Sequence, residues 1–241
     1  MKRFYREATL DEVAEDDVAA GFRVLLDGRA IKTQGGRAQI VPTPALGAAM
    51  VAEWAEQGET IDPTRFVFRD LADYAIDVVA PDPDATIAAL VGYAQTDTLC
   101  YRAFPDEPFA ARQDAQWEPL VAAAEARFSV RFTRVAGVMP RPQPAETIAT
   151  LAAKLGQHDR FTLAALRNLA GLAASLIIGL TALESTALET DAEIGALWDA
   201  ANLEEDWQAE LWGKDAEAEA RRARRRADFL AAARFARLVK S

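Results

Sequence analysis

The sequence predicts an α+β protein: a small amino-terminal α+β domain with a β-hairpin, followed by a larger, mainly α-helical bundle domain. Three observations carry that expectation. Phe22, Val24 and Leu26 alternate up to an Asp27-Gly28 pair, the chemistry of a two-residue hairpin turn. Pro81-Asp82-Pro83-Asp84 then punctuates the chain. Beyond it, apolar residues recur at helical spacing almost to the end. The expected domains are therefore 1–84 and 85–241. With 241 residues, 51% of them hydrophobic and 27% charged, there is enough apolar surface for genuine cores.

The elements follow in order. Gly21 to Thr33 is the hairpin, with Ala30 to Lys32 as the returning strand, and Ala38 to Val41 is a further short strand. Thr43 is an N-cap and Pro44 suits the first helical position, so a helix is expected over Ala45 to Gln57 with Gly58 as its stop. Arg65 to Arg69 reads Arg-Phe-Val-Phe-Arg, the alternation of a strand or an extended link, and helical spacing resumes from Asp70 to Val79. Asp84 can cap a helix from Ala85 to about Ala94. Further helices are expected over Phe109 to Phe128 and Pro144 to Leu155, and the stretch between them opens on Phe128 to Val135, an alternating strand or extended connector. A long apolar succession follows from Phe161 to Leu183, then helices over Ala192 to Leu211 and Asp215 to Leu238. Gly171, Ser175 and Gly179 recur every four residues, offering one face for close helix approach. The uncharged run from Leu169 to Leu183, roughly 15 residues against the roughly 20 of a spanning helix, reads as a buried helix and gives no expectation of membrane insertion.

Several chemistries lack their parts. A net charge of -10 and a pI near 4.8 repel phosphate and argue against nucleic acid or an anionic membrane as partner. The single cysteine, Cys100, excludes an internal disulfide, fits a reducing compartment and is expected in the interior. His158 is the one histidine, so no Cys/His metal set can form. No phosphate-binding loop is present, Gly35-Gly36-Arg37 lacks the helix-start context of a dinucleotide site, and no Gly-x-Ser-x-Gly elbow offers a nucleophile. Neither a cofactor nor an enzymatic activity is expected. Met1 to Glu7 carries no secretory signal pattern, which favours a bacterial cytoplasmic location, or the mitochondrial matrix for a processed organellar protein. The cluster Arg221, Arg222, Arg224, Arg225 and Arg226 follows Glu217 and Glu219 at helix-pairing spacings and reads as a solvated or partner-facing helix side.

Leu203 to Gly213 concentrates two of the five tryptophans, Trp207 and Trp212, with Glu204, Glu205, Asp206 and Glu210. At about 100° per residue, Leu203, Trp207 and Leu211 form one stripe, whereas Ala201, Glu205, Gln208 and Trp212 gather on another side. A packed Trp212 would draw Glu205 into an interface, where a carboxylate needs a partner. Glu204 and Glu205 point about 100° apart and cannot act as a dyad. Asp97 could supply a second acid, although capping a turn or pairing with Arg102 is its structural role. The residues alone rank a protein-binding module first, with a hydrolytic enzyme using carboxylates or a structural scaffold as alternatives.

Gly21-Phe22-Arg23-Val24-Leu25-Leu26-Asp27-Gly28-Arg29, Lys32-Thr33, Pro42-Thr43, Glu53-Trp54 with Gln57, Asp97 with Cys100-Tyr101-Arg102, Gln113 with Trp117 and Pro119, and Leu203-Glu204-Glu205, Gln208 and Trp212-Gly213 occur in one order along nearly the whole chain. In these the sequence resembles the assembly chaperones of the soluble catalytic head of F-type ATP synthase, the mitochondrial and bacterial family that binds the α subunit. It departs from the family's pattern at Gln34, where proline is usual, and at Phe66-Val67-Phe68, where a Met-Pro step is usual. The resemblance implies two domains, no cofactor, a chain monomeric when free, and the free α subunit as partner, shielded until β joins. It places the family's functionally sensitive acidic position on Glu205, with Glu204 the neighbouring candidate, and sets Trp207, Gln208 and Trp212 beside them. Glu205 either contacts the partner or holds the bundle together by pairing with a buried arginine such as Arg167. Trp212 on the same side favours the second role.

Overall fold

A computed structural model describes residues 1–14, 20–184, 190–213 and 215–240. The chain divides into two compact units, the first formed by Met1–Pro83, Asp159–Ala165 and Arg234–Ser241, the second by Asp84–His158 and Leu166–Ala233. The expected α+β class holds: a small sheet near the amino terminus precedes a mainly helical chain.

In the first unit, β1 (Ala8–Val13), β2 (Gly21–Leu26) and β3 (Arg29–Ala30) form an antiparallel sheet in that order. Leu26 pairs with Arg29 across a turn whose two residues, Asp27 (φ 48°) and Gly28 (φ 77°), are both left-handed, the twist that joins hairpin strands without splaying them. The Asp27 carboxylate also accepts the backbone N–H groups of Arg6 and Glu7, each at 3.0 Å. β1 escapes sequence patterning because Asp11 and Glu12 interrupt its alternation; Asp11 is satisfied across the sheet by Arg23 at 2.7 Å. The strand expected at Ala38 to Val41 is reduced to isolated bridges, Phe22 with Val41 and Lys32 with Ala38. α1 (Pro44–Ala55) begins as expected, with Thr43 accepting the N–H of Leu46 at 3.2 Å. It can lie on the sheet because Gly47 has no Cβ, which would stand 2.5 Å from the Leu10 side chain. At the other end of the chain, Phe235 packs on Phe68 and the Leu238 carbonyl accepts the Thr43 hydroxyl proton.

The extended reading of Arg65 to Arg69 is wrong. Pro63–Arg65 is a 3₁₀ turn, and α2 (Val67–Tyr74) starts inside the alternating run and continues as a π-helical turn over Ala75–Val79. The cause lies in α1. Glu53 places its two carboxylate oxygens on the N–H groups of Phe68 (2.6 Å) and Arg69 (2.9 Å), satisfying donors that a helix start leaves orphaned.

The second unit holds α3 (Pro83–Gln95), β4 (Tyr101–Arg102), α4 (Pro108–Phe128), β5 (Val135–Ala136), α5 (Ala145–Leu155), most of α6 (Arg160–Ala173), α7 (Leu176–Glu184), α8 (Asp191–Ala201), α9 (Leu203–Trp212) and most of α10 (Ala216–Leu238). β4 and β5 run parallel, and only the end of the Phe128 to Val135 stretch is strand. Trp117 and Trp198 are fully buried; Trp117 donates its indole N–H to the Ala200 carbonyl at 2.7 Å, and Trp198 packs on Phe229. The expected continuous succession from Phe161 to Leu183 breaks at Ala174 (φ 48°), and α7 restarts at Leu176. Asp97 enforces the break, accepting the Ser175 hydroxyl proton at 2.7 Å and the Ile177 N–H at 3.0 Å. Gly171, Ser175 and Gly179 therefore do not form one helix face: Ser175 sits at the break, Gly179 lies close to the Ala170 backbone, and Gly171 lies close to the Arg167 and Tyr93 side chains. Ala192 to Leu211 likewise splits at Asn202, whose side-chain amide donates to the Trp198 carbonyl. Among the described residues, no helix is long and apolar enough to cross a membrane.

Candidate functional site

α9 is fastened at its base and bare at its tip. Leu203 is buried, and the acidic first turn of Glu204, Glu205 and Asp206 complements the positive end of the helix dipole. Trp207 is half-buried and stacks on Phe109 of α4, ring centroids 5.4 Å apart at 26°. The Arg112 guanidinium lies 5.5 Å from the Trp207 indole and forms two hydrogen bonds with Glu210, at 2.6 and 2.9 Å. Those bonds hold the Glu210 carboxyl below the usual carboxylate range. On the other flank, Asp206 takes both guanidinium nitrogens of Arg222 from α10. Phe109, Arg112, Asp206 and Arg222 thus anchor the helix. Asp206 and Arg222 stood in the acidic and basic stretches of the sequence, but nothing there paired them, and Phe109 and Arg112 were marked only by sharing the spacing of one α4 face.

The stripe of Leu203, Trp207 and Leu211 peels away from the core along its length, from the buried Leu203 to Leu211 at 58% exposure. Trp212 is 78% exposed, so it does not pack, and the expected interface that would enclose Glu205 is absent from the described residues. Glu205 is exposed, and Arg167 donates instead to the Tyr93 hydroxyl at 2.9 Å. The expected pairing of Glu205 with Arg167 is therefore not formed, and among the described residues its carboxylate has no hydrogen-bond or ion-pair partner. Glu205, Gln208 and Trp212 line one shallow groove of about 220 Å³, together with Asp215, Glu219 and Arg222 among others. Glu204 borders it through a long contact, 3.5 Å, from the Gln208 amide. Trp207 lies away from the groove, under Phe109. A large aromatic and a leucine held in water beside carboxylates suit contact with another protein; singly exposed apolar residues need no explanation, but adjacent Leu211 and Trp212 on an anchored helix do.

The other candidate groups are structural. Asp97 is fully buried and caps the 3₁₀ turn Thr98–Cys100 through the Leu99 N–H at 3.1 Å as well as the start of α7; burial pushes its carboxyl up to about 6. The expected turn cap is present, whereas Arg102 pairs with Asp114 and Glu118 and not with Asp97. Cys100 is buried, and burial pushes its thiol up to about 12, which leaves it unreactive. His158 lies 3.7 Å from Glu184. Of the basic cluster, Arg221 pairs with Glu217 as expected, but Arg222 goes to Asp206, and Arg225 donates to the Leu172 carbonyl. Among the described residues no group of three or more His, Cys, Asp or Glu could hold a metal ion.

The sequence pattern of the ATP12 chaperone protein family matches residues 2–125. Among solved structures, Atp12 from Paracoccus denitrificans is 34% identical, with a TM-score of 0.87 over 99% of this chain and 98% of that one. A single-site mutant of the same Paracoccus protein is also 34% identical, with a TM-score of 0.86 over 99% and 97%. A protein of Agrobacterium tumefaciens described as a candidate chaperone is 36% identical, with a TM-score of 0.89 over 98% of this chain and 85% of its own.

Proposed function

The chain belongs to the ATP12 chaperone family, and on that premise we propose that it assists ATP synthase assembly by binding the free α subunit of the catalytic head until the β subunit joins. The observation that carries this is the exposed end of α9, where Leu211 and Trp212 stand in water beside Glu204, Glu205 and Gln208. Trp212 supplies apolar contact and Glu205 a free charge, while Trp207 holds the helix in place through Phe109. An unassembled subunit exposes a large apolar interface that associates wrongly unless covered. The holder must bind the lone subunit and lose to its assembly partner, a difference of affinities that requires no hydrolysis and no cofactor. The chain works in this reading as a monomer in the bacterial cytoplasm, with 1–84 and 85–241 as its functional domains.

The test is calorimetric titration of purified α and β subunits into the chain without nucleotide. Wild type binds α and not β. Trp212→Ala and Glu205→Lys each weaken α binding at least tenfold, about 1.4 kcal/mol, with melting temperature unchanged because both side chains are exposed. A wild-type chain with no affinity for α would sink the reading; variants that bind α as wild type does would remove the site from α9 while leaving the function standing.

A further inference from the structure

A second exposed apolar surface lies elsewhere in the same helical unit. β4 and β5 run parallel in register, Tyr101 with Val135 and Arg102 with Ala136, so the chain leaves both strands at one end. The two exits interlock. Gly137 donates its N–H to the Arg102 carbonyl at 2.8 Å, and at φ 78° it lies where L side chains rarely go. A Cβ there would stand 2.8 Å from the Phe104 ring, so the glycine is what lets that ring lie against the β5 exit. Around this junction Phe104 is 52% exposed, Val138 90% and Met139 74%.

The exposure does not come from a loose base. The buried Arg102 donates to the Leu99 carbonyl at 2.8 Å and pairs with Asp114 and Glu118, the Ala103 N–H is held by Gln113 at 2.7 Å, and Gln143 brackets Thr133 with bonds to both its N–H and its carbonyl. Pro105, Pro140 and Pro142 stiffen the two loops, which lowers the entropy lost when a partner orders them. A rigid platform that presents three large apolar side chains to water is built for contact.

Resting on the function proposed above, we propose that Phe104, Val138 and Met139 form a second docking surface for the same unassembled subunit, taking an apolar segment of it flanked by basic side chains. Charge complementarity sets the flank: Asp106 and Glu107 are exposed just past Phe104, after Pro105. Position ties the two surfaces together. α4 begins at Pro108, immediately after this loop, and its first turns carry the Phe109 ring and Arg112 guanidinium that anchor α9. A client spanning both surfaces gains effective concentration from each, since holding one contact confines the other.

The buried Cys100 makes the test clean, because a cysteine placed at 139 is the one accessible thiol. Met139→Cys carrying a benzophenone photoprobe, mixed with purified α subunit and irradiated, cross-links to α, whereas the same probe at Glu146→Cys on α5 does not. The Val138→Ser/Met139→Ser double variant, whose side chains lie in water and whose melting temperature stays that of wild type, raises Kd for α at least tenfold. If wild type binds α but the probe at 139 leaves it unlabelled and the double variant binds normally, this surface is refuted and the function stands. Cross-linking of the chain to itself in the absence of α would refute it in favour of a dimer contact. If wild type does not bind α, the underlying function fails first, and this surface with it.

Discussion

Asp97 is the residue on which most local structure depends. One buried carboxylate serves the Leu99 N–H, the Ser175 hydroxyl and the Ile177 N–H, and so closes a 3₁₀ turn and starts α7. Asp97→Ala strands those donors without a partner and is expected to cost about 3 kcal/mol or more of stability, measured by urea unfolding. A loss below about 1 kcal/mol would mean that water replaces the carboxylate. The turn cap was legible from Asp97-Thr98-Leu99 alone. Its distant partners were not, because Ser175 and Ile177 lie far along the chain and nothing local marks them. Trp207 and Trp212 make the same point: both are tryptophans on a helix, yet the Phe109 ring buries one while nothing among the described residues covers the other.

At the level of elements, helices start where another segment supplies their caps. α2 begins at Val67 because Glu53 reaches it from α1, and this arrangement titrates. Burial pushes the Glu53 carboxyl from 4.5 up to about 7, against the pull of its two N–H partners. A carboxyl raised on folding binds its proton more tightly in the folded state, so the stability it adds is complete below pH 4.5 and is lost as pH rises through about 7. The stability gap between wild type and Glu53→Gln should therefore shrink by on the order of 3 kcal/mol across that range in urea titrations at stepped pH. A gap independent of pH would show that the carboxyl is not raised. α9 depends on a weaker device. Arg112→Ala removes both the cation over Trp207 and the pair with Glu210, contacts that solvent screens at this exposed position. Amide exchange in α9 should quicken roughly fivefold while the buried middle of α4 stays protected. Helical periodicity located α1, α3, α4, α5 and α10 to within a few residues. It ran through the breaks at Ala174 and Asn202, because apolar spacing continues across a kink whose cause is a side chain elsewhere.

For the whole molecule, local signals determined the class and the order of parts: turn residues at Asp27-Gly28, the Thr43-Pro44 helix start, the Pro-Asp punctuation near residue 83, and helical spacing beyond it. They also identified the α9 stretch by its composition, and the ordered motifs pointed to the chaperone family that residues 2–125 match. These signals survive without the fold because each depends on the backbone preferences of a few adjacent residues. Tertiary structure alone decided the rest. It assigned Asp159–Ala165 and Arg234–Ser241 to the unit of the amino-terminal sheet, returns hidden within the unbroken periodicity of α6 and α10. It separated Glu205 from Arg167, left Trp212 in water, and brought Phe104 beside Val138 and Met139 through a glycine and a pair of two-residue strands. Which face of a helix is covered, and which carboxylate keeps its water, depends on segments distant in sequence, and that information exists only once the chain has packed.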